Sequence, residues 1–481
     1  MDEGKTIMQI NRNMSAVVAN NQLLGIEERL SASIERLSSG LKINRASDNP
    51  AGMAISNKMK AQIDALDQAE ANAADGISVV QIADGALNEV SSILQRIREL
   101  SVQAANGVNS FDDRQSMQDE VAELVKEVDR ISADTEYNTK KLLDGSSNVR
   151  VYGENGSRYQ VTDAVDAKIY TLNVEAVAEK ATVAFDYEAP TVDGTVSING
   201  VGAAVRQDMS KEEYLEAVRN AAREAGCSVE ISADGSQMLV LSNYYGYEES
   251  ISVTVSEELA VAAGITTHKD CEYVAEDGLY QVNTTGVDAK VTIPTQIESS
   301  GFTTTTTVDC TGNRVVVTDN DGFSIDFLLD EDYNPTADAV NGNFEIDVTD
   351  IGSLTIQVGA NEYQTMDVRI DEISAYTLYL DSVDVAVENG AERAMETLDD
   401  AIAKVSAARS RIGAFQNRLE YAETSLSSSV ENITTAYSGI LDTDMAEEMT
   451  EYTQQNILNQ AAISVLSQAN ELPQQVLSML Q

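Results

Sequence analysis

The chain contains little of the chemistry on which most enzyme active sites depend. His268 is its single histidine, tryptophan is absent, and the cysteines are limited to Cys227, Cys271 and Cys310, too few and too scattered for a disulfide framework. A catalytic triad, a zinc cage and the two histidines of an H-E-x-x-H metalloprotease all need more imidazole than this. His268 and Cys271 are three residues apart, but no second ligand pair accompanies them. We therefore expect no enzymatic activity, no metal site and no cofactor.

Basic residues are also scarce, with 32 lysines and arginines against 79 aspartates and glutamates and a net charge of -47. Nucleic-acid phosphates and anionic lipid surfaces repel a chain this acidic, so neither is expected as a partner. No apolar run reaches the roughly 18 to 20 residues that cross a bilayer. The first residues lack the basic start, apolar run and cleavage site of a signal peptide, so ordinary secretory export is not expected.

Apolar residues at helical spacing are abundant. Three stretches place them three, four or seven positions apart, which is the pattern of a coiled-coil seam. The first seam is Met59, Ile63, Leu66, Ala73, Ile77, Val80, Leu87, Val90, Leu94 and Ile97; the second is Met117, Val121, Leu124, Val128 and Ile131; the third is Leu398, Ile402, Val405, Ile412, Phe415, Leu419, Leu426, Val430, Ile433, Tyr437 and Ile440. The similar lengths of the first and third seams predict that the two ends of the chain pack together as a long bundle.

Each end of the chain carries a further amphipathic stripe that has no partner in its own half. The N-terminal stripe is Ile10, Met14, Val17, Leu24, Ile34, Leu37 and Leu41, and the C-terminal stripe is Met445, Met449, Tyr452, Ile463 and Leu466. The surrounding residues are mostly alanine, serine and asparagine, so an isolated pair of these helices buries too little apolar surface to stay ordered. We expect both helices to fold on neighbouring molecules.

The middle of the chain, from about 149 to 351, has a different pattern. Short alternating runs such as ATVAFDY and RVVVTD are separated by glycine, asparagine and aspartate, which predicts a β-rich insert. One helix is expected inside it, with Ser210 and Glu213 as a capping box and Gly226 as the stop. The insert holds 36 acidic and 11 basic residues, a balance typical of a solvated outer domain. The predicted fold class is therefore multidomain α + β, with a long antiparallel helical coiled-coil rod formed by the paired N- and C-termini and a β-rich outer insert.

Four segments resemble bacterial flagellin: RLSSGLKINRASDNPAGMAIS (Arg36 to Ser56), LQRIRELSVQAANG (Leu94 to Gly107), ARSRIGAFQNRLE (Ala408 to Glu420) and the tail that begins at NILNQAA. The resemblance implies a structural subunit of the flagellar filament that polymerises through its terminal helices. It further implies three parts: 1–45 with 441–481 as an inner tube, 46–148 with 352–440 as a rod domain, and 149–351 as a variable surface insert. The stretch 354–370 resembles a β-segment that accompanies the rod.

The resemblance also implies partners and a location. The partners are other copies of the chain, the flagellar export apparatus, a C-terminal export chaperone, the filament cap and junction proteins, and host Toll-like receptor 5; the location is the extracellular flagellum. The positions that match the receptor-binding motif are Gln95, Arg96, Leu100, Gln103 and Glu120. The alternative interpretation is that the charged residues are solvated and Leu100 is bundle core. We expect the receptor to bind the monomer, because these positions should be covered in the polymer.

Several alternatives remain open at this level. A hook-filament junction protein shares terminal helices of this type, and the insert could carry a filament-borne adhesin. The sequence TDNDGFSID lacks the glycine of an EF-hand at its sixth position, so a hairpin turn is favoured over a calcium loop. The run Thr303 to Thr307 is expected to be a β-strand, with O-glycosylation as the other interpretation.

Overall fold

The structure is a computed structural model, and it describes residues 13–479 apart from 163, 233, 268–269, 275–277, 295–299, 321, 336–342 and 388. Ile10 and His268 lie outside the described residues. The described α-helices are α1 (Met14–Ser39), α2 (Pro50–Ala104), α3 (Phe111–Asp134), α4 (Lys211–Glu224), α5 (Glu257–Ala262), α6 (Gly390–Leu441) and α7 (Met445–Met479). Long helices at both ends and strands between them confirm the predicted α + β class.

The described strands lie between α3 and α6. They are β1 (Glu136–Tyr137), β2 (Lys140–Lys141), β3 (Arg150–Gly153), β4 (Gly156–Val161), β5 (Ile169–Ala176), β6 (Lys180–Asp186), β7 (Gly194–Ile198), β8 (Val201–Val205), β9 (Cys227–Ile231), β10 (Gln237–Tyr245), β11 (Ser250–Ser256), β12 (Cys271–Val274), β13 (Leu279–Thr285), β14 (Lys290–Thr292), β15 (Thr307–Thr311), β16 (Arg314–Thr318), β17 (Ser324–Leu329), β18 (Phe344–Thr349), β19 (Leu354–Gln357) and β20 (Thr365–Val368).

The described residues form two compact units. Unit 1 contains 13–74, 357–365 and 420–479, and unit 2 contains 75–356 and 366–419. The division between the units falls inside α2 and α6. Each unit thus combines residues from both halves of the chain, as the pairing of the two ends predicts.

The start of α2 in unit 1 explains one of the segments that resemble flagellin. The side chain of Asn49 accepts a hydrogen bond from the backbone N–H of Gly52 at 2.9 Å, and Pro50 occupies the first helical position, where its missing N–H has no consequence. Asp48 accepts a hydrogen bond from the backbone N–H of Arg45 at 2.9 Å, which lowers the pKa of the carboxyl. The run RASDNPAG is therefore a helix-initiation motif.

Two backbone hydrogen bonds join the connection between α1 and α2 to the connection between α6 and α7. The N–H of Lys42 donates to the carbonyl of Leu441 at 2.6 Å, and the N–H of Thr443 donates to the carbonyl of Gly40 at 2.9 Å. Gly40 ends α1 with a φ of 73°, a conformation that glycine adopts at little cost. Both connections of unit 1 are thereby held side by side.

The predicted seams of α2 and α6 meet inside unit 1. Leu66 and Ala69 of α2 are buried with Leu426 of α6, and the half-buried Val430 and Ile433 pack against this cluster. The N-terminal and C-terminal segments therefore pack on each other, as the matching periodicities predict.

In unit 2 the same two helices run antiparallel. Arg98 of α2 pairs with Asp399 of α6 at 2.6 Å, and Arg409 of α6 pairs with Asp84 of α2 at 2.9 Å. The predicted seam residues Val80, Leu87, Val90, Leu94, Ile97, Met117, Val121, Val128, Leu398, Val405, Ile412 and Leu419 are all buried. The predicted break between α2 and α3 is confirmed, and α3 begins at a capping box formed by Ser110 and Asp113.

The insert is β-rich, as predicted, but it folds around two hydrophobic cores. The first core lies between the sheets ordered β14-β5-β18-β3 and β15-β16-β17-β4. The second lies among the sheets ordered β6-β10-β9 and β12-β13-β11-β7-β8, with α4 and α5 packed on it. The second core spans residues 181–282 and interrupts the first, whose residues resume at Ala289, so the part that carries the predicted helix α4 is an insertion within the insert.

Local predictions in the insert have mixed outcomes. The α4 capping box of Ser210 and Glu213 is present, and Gly226 follows the helix with a φ of 74°. The segment around Asp319 joins β16 to the antiparallel β17, as the hairpin interpretation predicts. The threonine run is not a strand before Thr307. Thr305 donates its hydroxyl to the Asp319 carboxylate at 2.5 Å, and this side-chain contact, which a propensity argument does not include, favours a turn.

Candidate functional site

The terminal helices α1 and α7 pair in an antiparallel orientation within unit 1. At one end the side-chain amide of Asn13, which caps α1, donates to the carbonyl of Ala469 at 2.8 Å. At the other end the hydroxyl of Ser33 donates to Glu448 at 2.6 Å. The contact at the start of α1 is thus made near the end of α7, and the contact near the end of α1 is made near the start of α7.

The faces that the helices turn toward each other combine leucine and isoleucine with small and polar residues. On α1 the less exposed residues follow a heptad pattern: Ala16, Ala19, Leu23, Ile26, Leu30, Ser33 and Leu37. On α7 they follow the same spacing: Glu448, Tyr452, Gln455, Asn459, Ala462, Leu466 and Ala469. Ile26 is the only large apolar residue among them that is fully buried, so the seam stabilises the pair weakly.

A buried polar cluster fixes the register of this pair. Glu448 is 7% exposed and accepts hydrogen bonds from the hydroxyl of Ser33 at 2.6 Å and from Nη1 of Arg36 at 3.4 Å. A buried charge with its partners in place excludes other registers, because a slip would leave the carboxylate buried without them. Further along the seam, Oε1 of buried Gln455 accepts no hydrogen bond from the described residues, which weakens the pair further.

The large apolar residues lie mostly on the outside of the pair. Among the predicted stripe residues, Met14 is 65% exposed, and Val17, Leu24, Ile34, Met445, Met449 and Ile463 are about half exposed. Leu37, Leu41, Tyr452 and Leu466 are half-buried. The predicted stripe did not include Val18, Ile457, Leu458, Val465 and Leu472, which are also exposed. We call this set of exposed residues on α1 and α7 the open apolar face.

The open apolar face is a feature that a monomer in water does not need. Twelve large apolar side chains of α1 and α7 are at least 40% exposed, and where such side chains adjoin one another on a soluble monomer they usually mark a binding site. Along α7 it includes a depression of about 560 Å³ lined by Met449, Thr450, Thr453, Gln454, Ile457 and Leu458. Covering each half-exposed large side chain contributes roughly 1 kcal/mol, so several together can order a helix pair that is marginal alone.

The residues that match the receptor-binding motif are divided between a surface and a core. Nε and Nη2 of Arg96 donate to Glu120 at 3.0 and 2.8 Å, which fixes the guanidinium across α2 and α3. Gln95 and Gln103 are exposed on α2. Leu100, in contrast, is 2% exposed and belongs to the core of unit 2, so it does not lie on the surface that the other residues form.

Unit 2 also contains a buried ionic cluster beside a cavity of about 970 Å³. Asp326 accepts hydrogen bonds from Nη2 of Arg314 at 2.8 Å, from Nζ of Lys404 at 3.1 Å and from the hydroxyl of Tyr379 at 3.2 Å. Burial opposes ionisation of Asp326, but Arg314 and Lys404 outweigh it and hold the pKa of the carboxyl below its usual value. These charges connect the base of the insert to α6.

The described part of the chain contains neither a metal-binding cluster nor a membrane-spanning helix. No group of three or more histidine, cysteine, aspartate and glutamate side chains there is arranged to hold a metal ion. None of the described helices combines the length and the apolar character that crossing a bilayer requires.

Family models match both ends of the chain. The bacterial flagellin N-terminal helical region matches residues 10–148, and the bacterial flagellin C-terminal helical region matches residues 395–480. Flagellin from Salmonella rubislaw is 31% identical over 526 aligned positions, which cover 98% of this chain and 99% of the relative. Flagellin from Clostridium tyrobutyricum is 32% identical over 471 positions, which cover 97% of this chain and 100% of the relative.

Solved structures also match. FliC from Burkholderia pseudomallei aligns with 71% of this chain and 99% of its own, at 18% identity and a TM-score of 0.23. Flagellar hook-associated protein 3 from Legionella pneumophila aligns with 80% of this chain and 98% of its own, at 13% identity and a TM-score of 0.31.

Proposed function

The chain belongs to the bacterial flagellins and is therefore a structural subunit of the flagellar filament and not an enzyme; from this premise we propose that it polymerises by covering the open apolar face with copies of itself. The observation that carries the proposal is the number of large apolar side chains that α1 and α7 leave exposed. Twelve such side chains, Met14 and Ile463 among them, are at least 40% exposed, whereas Ile26 is the only large apolar residue between the helices that is buried.

This distribution couples folding to assembly. The weak seam leaves the helix pair marginal in a free molecule, and neighbouring molecules supply the apolar contacts that order it. Contacts between different surfaces of successive copies propagate as an open helix when the rotation between copies does not close a ring, and a filament requires contacts of this kind. We assign 1–45 with 441–481 to an inner tube, 46–148 with 352–440 to a rod domain, and the acidic 149–351 to the filament surface.

The open apolar face also supports a set of further partners. A C-terminal export chaperone would cover the exposed side of α7 before the flagellar export apparatus takes up the chain. At the two ends of a filament, the same face would meet the cap and the junction proteins. Transmission of motor torque along an extracellular filament then follows from continuous contacts between rods.

A single charge on the open apolar face tests polymerisation. In Ile463→Glu the new carboxylate would be buried without a partner at each contact, so we expect the concentration needed for polymerisation to rise on the order of 100-fold. Sedimentation and electron microscopy after seeding with sheared filaments measure this, and circular dichroism checks that the monomer keeps its helices. The matched control is Val261→Glu, which alters an exposed apolar residue of α5 in the insert. Filaments from Ile463→Glu at the wild-type concentration would refute the proposal.

We further propose that Toll-like receptor 5 recognises the monomer through Gln95, Arg96, Gln103 and Glu120. Support comes from the ion pair that holds Arg96 rigid, because a pre-organised arginine loses little entropy on binding. Binding of the receptor ectodomain to Arg96→Ala should weaken at least tenfold. Arg130→Ala is the control, since Arg130 lies on α3 in similar ion pairs with Glu127 and Asp134. Equal losses in the two variants would mean that only overall charge matters.

A further inference from the structure

The turn between β19 and β20 holds a tyrosine in a conformation that tyrosine normally avoids. Tyr363 has a φ of 62° and is 93% exposed. Left-handed backbone costs a bulky residue roughly 1 to 2 kcal/mol relative to glycine, and glycine or asparagine usually occupies such turn positions. The ring makes no compensating contact with the rest of the described chain that would reduce its exposure. Neither the strain nor the exposed ring stabilises the free molecule.

Side chains of the turn itself maintain this conformation. Oε1 of Gln364 accepts a hydrogen bond from the backbone N–H of Asn361 at 3.0 Å. The Gln364 side chain fits against Gly359, where a Cβ atom would lie 2.3 Å from that oxygen. From the other side, Nε2 of Gln357 donates to the carbonyls of Gly359 and Asn361 at 2.7 and 2.8 Å. The backbone on both sides of Tyr363 is therefore fixed.

Contacts with the helices of unit 1 hold this turn in place. The amide of Asn72 on α2 donates to the carbonyl of Gln357 at 3.2 Å. Ala360 packs on the buried cluster of Leu66, Ala69 and Leu426. A strained residue persists where the surrounding structure determines its position, and such residues concentrate at functional sites. The tyrosine ring is thus presented rigidly from the helical body of unit 1.

We infer that Tyr363 is a docking residue that inserts into a second copy of this chain. The inference rests on the proposed polymerisation, which makes another copy the one partner present along the whole filament. The turn belongs to unit 1, the same compact unit whose α1 and α7 carry the open apolar face. A tyrosine that is already rigid in the free molecule gains contact area with little loss of side-chain entropy, as interface hot spots do.

Replacing the ring separates docking from folding. In Tyr363→Gly and Tyr363→Asn the backbone strain is relieved, so the thermal midpoint of the monomer should be no lower than that of the wild type. The concentration required for seeded polymerisation should nevertheless rise about tenfold. Tyr363→Phe, which keeps the ring, should polymerise close to normally. The control is Tyr247→Ala, a tyrosine of the insert that is 70% exposed, and it should also polymerise normally.

The outcomes distinguish this inference from the proposal on which it rests. If the wild type forms filaments, Ile463→Glu does not, and Tyr363→Gly polymerises at the wild-type concentration, the docking role is wrong while polymerisation through the open apolar face stands. If Tyr363→Gly lowers the thermal midpoint, the ring stabilises the monomer and the docking role is also wrong. If the wild type itself forms no filaments, the proposed function fails first.

Discussion

Replacing Leu426 by alanine tests whether the small cluster in unit 1 joins the two ends of the chain. Leu426 is 7% exposed and is buried with Leu66 and Ala69. Removing a buried leucine side chain usually costs 2 to 5 kcal/mol, partly through the cavity that remains. Because the neighbouring Val430 and Ile433 are only half-buried and can move into the space, we expect a loss in the lower part of that range, about 2 to 3 kcal/mol.

Urea unfolding of the monomer, followed by circular dichroism at low protein concentration, measures this loss. With a slope of about 2 kcal/mol per molar urea, the transition of unit 1 should shift down by about 1 to 1.5 M. Ser427→Ala is the control, because Ser427 is the exposed neighbour on α6 and should shift the midpoint by less than about 0.3 M. A Leu426→Ala midpoint within that control range would show that α2 and α6 do not depend on this cluster.

Two further predictions concern a glycine and a buried carboxylate. In Gly52→Ala the new Cβ would lie 2.6 Å from Cδ1 of buried Ile43, so we expect a net loss of stability of about 1 kcal/mol after the helical preference of alanine is included. Gly25→Ala, with open space around it, should gain stability. Thermal unfolding of the two monomers compares these effects. In Asp326→Asn, Arg314 and Lys404 lose their buried partner, and the loss at pH 7 should be about 2 to 3 kcal/mol. Because the folded pKa of Asp326 is lowered, the stabilisation by its carboxylate is present above about pH 4 and is lost as the pH falls through the folded value. The stability difference between wild type and Asp326→Asn should therefore shrink from pH 5 to pH 2 in urea titrations, and a difference independent of pH would refute the assignment.

The long helices could be predicted from the sequence because the apolar residues that define their periodicity are the residues that the folded chain buries. Residues such as Leu87, Leu94 and Leu398 repeat at helical spacing and are buried within the chain itself, so periodicity and burial agree. The α4 capping box was likewise predictable, since its hydrogen bonds join residues three positions apart. Local signals were sufficient wherever the partners of a residue lie close in sequence or on one long helix.

The terminal helices were harder to predict for a physical reason. The predicted stripe contains Val17 and Leu24, which face outward, whereas the face of α1 that meets α7 carries Leu23 and Ile26 beside Ala19 and Ser33. When large apolar residues lie on both sides of a helix, hydrophobicity alone cannot identify the face that meets its partner within the molecule. Leu100 illustrates the opposite case, because a motif suggested a surface contact while the helix spacing places it in a core.

The two cores of the insert could not be predicted from local pattern. Strand β4 pairs with β17 and β5 pairs with β18, each across more than a hundred residues, and no local signal specifies such pairing. The turn at Thr305 depends on Asp319 in the same way, through a contact between separate segments.

The backbone hydrogen bonds from Lys42 to Leu441 and from Thr443 to Gly40 have a mechanical consequence. Because they hold the two connections side by side, a tilt of α1 about its connection is coupled to a tilt of α7 about its own. A bend imposed on the pair of α1 and α7 then acts on α2 and α6 together. A curved filament would therefore share its strain evenly between the two segments of chain that connect to the pair.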